Sequence, residues 1–189
     1  MPIAPGTLAT ALAAILLAGC AQTLSYTLVE TRRVPIGDAY TVEPQITWTS
    51  VAQDKVESWT VDGFALHYLR FFKGIANGEP LLAGGKDEAK RPHFRSTMTE
   101  SEIAEFIVDS FYGGRLRPRE LRPATFGGAP ALRFDLTYVT GDGIQRRAAV
   151  VGAVLKEKLH VIVYDGAALR YFPRYRDHVE RLLESIQLR

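Results

Sequence analysis

The stretch from Ala129 to Tyr164 leaves the chain few choices. Leu132, Phe134, Leu136 and Tyr138 alternate with Arg133, Asp135 and Thr137, the period-two pattern of a half-buried strand. Gly141-Asp142-Gly143 turns the chain into a second strand, Ile144 to Val154, and Leu155-Lys156-Glu157-Lys158 turns it again into Leu159 to Tyr164. Consecutive strands joined by tight turns run antiparallel, because parallel neighbours need a crossover of about a dozen residues or more. Leu121 to Phe126 reads as a further strand that enters this meander through Gly127-Gly128.

Helices flank the meander. Thr99-Glu100-Ser101-Glu102 is a capping box, in which the Thr99 hydroxyl accepts the Glu102 amide proton and the Glu102 carboxylate reaches back. Ile103, Phe106, Ile107 and Phe111 then recur at helical spacing until Gly113-Gly114. After Gly166, Phe172, Tyr175, Val179, Leu182 and Ile186 repeat at three- and four-residue intervals, with Arg174, Asp177, Glu180 and Arg181 on the other side.

Three strands precede the first helix. Tyr40, Val42, Ile46, Trp48 and Ser50 alternate with polar neighbours, although Pro44 bends that strand or places it at an edge. Val56 to Val61 is a second strand, and Asp62-Gly63 marks a hairpin into Phe64 to Phe72. Lys73 to Arg95 breaks the pattern with Gly74, Gly78, Pro80, Gly84-Gly85 and Pro92, and reads as a long loop. The order predicts an α+β fold, an antiparallel sheet of about six to seven strands covered by helices.

The first part of the chain reads as an address. A mostly apolar run, Leu8 to Ala18, ends in small residues, and no charged side chain precedes Glu30. At about eleven residues the run suits a signal-peptide core and falls short of the ~20 that span a bilayer. Leu17-Ala18-Gly19-Cys20 resembles the lipobox of bacterial lipoproteins and contains the only cysteine. The resemblance implies that the Cys20 thiol takes a diacylglyceryl group and that residue 20 starts the mature chain, so the protein takes up palmitate. Ala21 follows where an aspartate would imply retention at the inner membrane, so outer-membrane sorting facing the periplasm is implied. The expected organisation is a signal peptide over 1–19, a tether over 20–38 and one domain over 39–189. An exported chain with no second cysteine forms no internal disulfide.

A second resemblance covers residues 40–189. Its carriers are Trp59-Thr60-Val61-Asp62-Gly63, the capped helix from Thr99, Phe126-Gly127-Gly128-Ala129-Pro130-Ala131-Leu132-Arg133-Phe134, Leu159-His160-Val161-Ile162-Val163-Tyr164, and Tyr171-Phe172 opening the last helix. Together they resemble the Mog1/PsbP-like family, and within it small bacterial lipoproteins. The resemblance implies an α/β/α sandwich and an accessory role. It implies no catalytic residue.

The residues offer little chemistry of their own. His67, His93, His160 and His178 show no metal-ligand spacing to one another, to acids or to Cys20. No metal or other cofactor is expected. A His67/His160/Asp135 grouping is the one arrangement of histidines and acid to test. There is no Gly-x-Ser-x-Gly elbow and no P-loop. A formal net charge of +2 gives no electrostatic case for nucleic acid.

Three features suggest a binding surface: the basic loop with Lys86, Lys90, Arg91 and Arg95; the strand aromatics Trp48, Trp59, Tyr68 and Phe72; and the run Arg115-Leu116-Arg117-Pro118-Arg119. The expected function is that of a lipid-anchored, non-catalytic binding or accessory module for an envelope protein partner. One alternative is a carrier that holds a hydrophobic small molecule between sheet and helix. The other is a hydrolase, which requires a clustered Ser/His/acid site.

Overall fold

The computed structural model describes residues 25–84, 90–112 and 116–189. Eleven strands and two helices are found there: β1 (Tyr26–Val29), β2 (Val34–Ile36), β3 (Tyr40–Val42), β4 (Trp48–Gln53), β5 (Val56–Thr60), β6 (His67–Ile75), α1 (Glu100–Tyr112), β7 (Arg119–Phe126), β8 (Ala129–Val139), β9 (Gln145–Leu155), β10 (Lys158–Ala167), α2 (Tyr171–Glu184) and β11 (Gln187–Leu188).

Eight strands form one fully antiparallel sheet in the order β1-β4-β5-β6-β10-β9-β8-β7. Two meanders meet at the β6–β10 seam, and α1 carries the chain from the centre of the sheet to its β7 edge. Side chains on one face, among them Val161, Val163, Val150 and Phe134, pack on Ile103, Phe106 and Ile107 of α1. The other face carries Trp59, Phe71, Ile162 and Tyr164 and packs on Phe172, Tyr175, Val179 and Leu182 of α2. A small sheet, β11-β3-β2, lies beside α2 in that layer and contributes Ile36, Tyr40 and Val42 to the same core.

The α+β class is as the pattern predicts, with one more strand in the sheet than the upper expectation. The extra strand comes from the stretch expected to be a tether. Within 20–38, residues Tyr26–Val29 pair with β4 and Val34–Ile36 pair with β3, so among the described residues the fold begins at Tyr26. Val29 and Ile36 are buried, and that burial holds the segment down. The expected long strand from Tyr40 to Ser50 is two strands in different sheets, β3 and β4, separated around Pro44. The Asp62-Gly63 turn widens to residues 61–66, where Gly63 accepts the amides of Leu66 and His67. Cys20 and Gly113-Gly114 lie outside the described residues.

The seam between β6 and β10 carries a bulge. Leu159 pairs with Ile75 and Val161 with Phe72, so His160 faces both Lys73 and Gly74. Gly74 adopts φ +70°, the left-handed conformation that such a bulge favours and that glycine reaches without steric cost.

Candidate functional site

The bulge opens one end of the sheet. At this end lie the 54–55 turn, the end of β6, and the 156–157 turn, whose Lys156 and Glu157 have φ values of +47° and +64°. The small sheet approaches from the side through Gly37 and Leu188. Between them lies a groove of about 510 Å³. Ile36, Ala39, Val154, Leu155 and Leu188 supply apolar wall, and Lys55, Lys73, Lys156, Lys158 and Arg189 supply cationic side chains. Asp38 is the one acidic side chain in the lining.

The cations are not equivalent. Lys55 is paired with Glu79, and Lys73 lies 3.4 Å from Glu57. Among the described residues, Lys156, Lys158 and Arg189 meet no carboxylate at ion-pair distance. The main chain of Arg189 is fixed, its amide donating to the Ala39 carbonyl at 2.9 Å. Lys158 lies against Gly74, where a Cβ would come 3.4 Å from its Cδ.

His160 sits on the groove floor. It is 5% exposed, and its ring stands edge-on to Tyr40 with centroids 5.8 Å apart. Its Nδ1 is buried with no hydrogen-bond partner. A bare ring nitrogen is left less wanting than an unpaired N–H, which assigns the proton to Nε2, on the side of Gly74. Burial, with the charge of Lys158 second, brings its pKa from 6.5 to about 4. At neutral pH the floor therefore offers an uncharged N–H donor beneath a cationic rim.

The other expected residues lie elsewhere. His67 shares the α2 face with His160, but it pairs with Gly166 whereas His160 sits beside the Leu159–Ile75 pair, about 20 Å along the strands. Asp135 lies two strands away in β8 and pairs with Arg122 at 3.6 Å. The His67/His160/Asp135 grouping does not assemble. Its members point to one face, and the register separates them along and across the sheet.

His67 is instead built into the 61–66 turn. Its Nε2 accepts the amides of Val61 and Asp62 at 3.3 Å, and its ring stacks on Tyr175 at 4.4 Å. Tyr175 donates to the Asp62 carboxylate at 2.5 Å. Burial is the main reason the His67 pKa falls to about 4.

Lys86 and Arg115 lie outside the described residues. Arg91 donates to the Leu82 carbonyl, Arg95 lies 3.7 Å from Glu102, and Lys90 is exposed. None of these three lines the groove. Trp48, Trp59 and Phe72 are fully buried. Trp48 and Trp59 pack in the layer between the sheet and α2. Among the described residues, no three His, Cys, Asp or Glu side chains come together as metal ligands. No helix among them is long and apolar enough to cross a membrane.

The groove's cations do not stand out in the sequence because they come from four separate turns and ends. The available signal was Lys156-Glu157-Lys158 next to His160, opposite the Lys73-Gly74 pair.

No family model matches this sequence, and no curated protein matches it. Solved structures do. The solution structure of cyanobacterial PsbP (CyanoP) from Synechocystis overlays with a TM-score of 0.52 at 12% identity, over 90% of this chain and 96% of that one. A crystal structure from Bacteroides thetaiotaomicron overlays with a TM-score of 0.50 at 5% identity, covering 85% of this chain. The present chain spans about half (49%) of that protein's length. LpqN, involved in cell envelope biogenesis of Mycobacterium tuberculosis, overlays with a TM-score of 0.37 at 14% identity, over 89% of this chain and 87% of that one. The fold is Mog1/PsbP-like, in agreement with the two helices and large antiparallel sheet.

Proposed function

We propose that this chain is a lipid-anchored envelope protein, attached through Cys20 to the outer membrane and facing the periplasm, which works as a non-catalytic binding module. The observation that carries the binding role is the open basic groove at the bulged end of the sheet. Its lining contains no hydroxyl or thiol side chain, and its one histidine has no carboxylate partner. The groove is equipped to hold an anion, and its lining offers no side-chain nucleophile beside a base for covalent catalysis. The lipid anchor rests on Leu17-Ala18-Gly19-Cys20. Two or more acyl chains hold a protein on a membrane where one does so only marginally.

The test joins location to binding. Wild-type protein should sediment with membranes and take up labelled palmitate, and Cys20→Ser should do neither. Crosslinking in intact cells with capture of the lipidated form should recover a stable envelope partner or ligand. A Cys20→Ser chain that still sediments beside a wild type that takes up no palmitate overturns the anchor. Ester or phosphoester hydrolysis that is lost on substituting His160 overturns the non-catalytic role.

A further inference from the structure

The groove's occupant follows from what lines it and from where the chain enters the fold. Three cations at its rim have no carboxylate at ion-pair distance among the described residues, the floor presents an N–H donor from a 95%-buried histidine with an orphaned Nδ1, and the walls are aliphatic. An inorganic anion would use the cations and leave Val154 and Leu188, both partly exposed, facing water. A neutral apolar molecule would bury Lys156 and Lys158 without neutralising them, and a charge taken out of water without a partner is costly. A molecule with an anionic head and an apolar body satisfies both sets.

Chain entry favours a membrane source. Tyr26 pairs with Val51, so β1 starts at the end of the sheet that carries the 54–55 turn and the groove. Three strand spacings separate β1 from β6, about 15 Å. A lipid on Cys20 therefore places the groove end of the domain toward the bilayer.

We propose that this groove binds a single-chain anionic amphiphile, a phosphate monoester on an alkyl body, with Lys156, Lys158 and Arg189 around the phosphate, His160 donating to it and the alkyl chain along Val154, Leu155 and Leu188. The inference rests on the binding-module reading. Its test uses the full-length Cys20→Ser chain, so the outcome does not depend on lipidation.

Calorimetric titration compares octyl phosphate, octanol and inorganic phosphate. Octyl phosphate should bind at least about tenfold more tightly than either of the others, with an affinity that falls as salt rises. The Lys156→Gln/Lys158→Gln variant, confirmed as folded by an unchanged melting temperature, should lose about tenfold in affinity. Arg91→Gln/Arg95→Gln, away from the groove, should bind as wild type.

Equal binding of octanol shows an apolar site and overturns the proposal. Equal binding of inorganic phosphate shows a bare anion site and also overturns it. So does octyl phosphate binding that the lysine variant leaves unchanged. Binding to vesicles containing phosphatidic acid, with none to octyl phosphate, shows a membrane-surface contact in place of a ligand groove.

Discussion

Arg146 and Asp165 meet across neighbouring strands with both side chains closed to water. The guanidinium Nε lies 2.7 Å and a terminal nitrogen 2.6 Å from the same carboxylate oxygen, Oδ1. Tyr138 donates to the other oxygen at 2.6 Å, and Arg146 also donates to the Ala65 carbonyl at 2.8 Å. The pair thus ties β8, β9 and β10 to the 61–66 turn. Removing one partner leaves an uncompensated buried charge, so Arg146→Met should cost about 3–5 kcal/mol in urea unfolding. Tyr138→Phe should cost about 1–2 kcal/mol, since Asp165 keeps its guanidinium. If Arg146→Met unfolds within 1 kcal/mol of wild type, water must reach the pair.

Acid should weaken the fold through its two buried histidines. His67 and His160 both have pKa values lowered from 6.5 to about 4. Between those values the unfolded chain binds more protons than the folded one, so stability is intact above pH ~6.5 and is lost as pH falls toward 4. At 1.36 kcal/mol per pKa unit, each histidine contributes about 3 kcal/mol to that loss. His67 adds a geometric reason, because Nε2 must stay unprotonated to accept the Val61 and Asp62 amides. Urea midpoints measured from pH 7 to 4.5 should fall steeply. Either His67→Gln or His160→Gln should flatten the curve by about half.

The two glycines of the β7–β8 turn should differ. Gly127 has φ +58°, and a Cβ there would lie 3.0 Å from Ile186 Cγ2 and 3.1 Å from Leu188 Cγ. Gly128 has φ +89° and open space around it. Gly127→Ala adds a clash to the backbone strain and should cost about 2–3 kcal/mol. Gly128→Ala carries the strain alone, at about 1 kcal/mol. Because the clash pushes on β11, Gly127→Ala should also expose the Arg189 amide, which hydrogen exchange would detect as lost protection.

The first helix depends on its cap. Thr99 Oγ1 accepts the Glu102 amide at 3.3 Å, and the Thr99 amide donates to the Glu102 carboxylate at 2.8 Å. Thr99→Ala should cost about 1 kcal/mol, and Thr99→Asn should recover most of it. An unchanged denaturation midpoint for Thr99→Ala would mean that packing on the sheet alone holds the helix.

These elements differ in how far the chain announces them. The cap, the α2 stripe from Phe172 to Leu182 and the β8–β10 meander were legible because each is specified by residues a few positions apart. β1 and β2 were not. They are four and three residues long, too short for a period to register, and Tyr26 and Leu28 face solvent. What makes them strands is a distant partner, Val51 for Tyr26 and Val42 for Val34. The groove was hidden for the same reason. Lys55, Lys73, Lys158 and Arg189 are neighbours only because the β6 bulge and the small sheet bring them together. The basic run near Lys90 and Arg95 stands out in the chain, yet its arginines are already occupied by Leu82 and Glu102.

If the groove binds as proposed, the early start of β1 bears on how much affinity it needs. With Cys20 lipidated as proposed, only residues 21–25 lie between the anchor and Tyr26, six residue steps with a reach of about 20 Å when fully extended. A leash that short turns the search for a bilayer ligand into a nearly intramolecular event, with an effective concentration of roughly millimolar. A groove that holds free octyl phosphate only weakly in solution would then still be largely filled at the membrane. Lengthening the leash with a Gly/Ser insert after Ala21 would dilute the ligand seen by the groove without touching one of its residues.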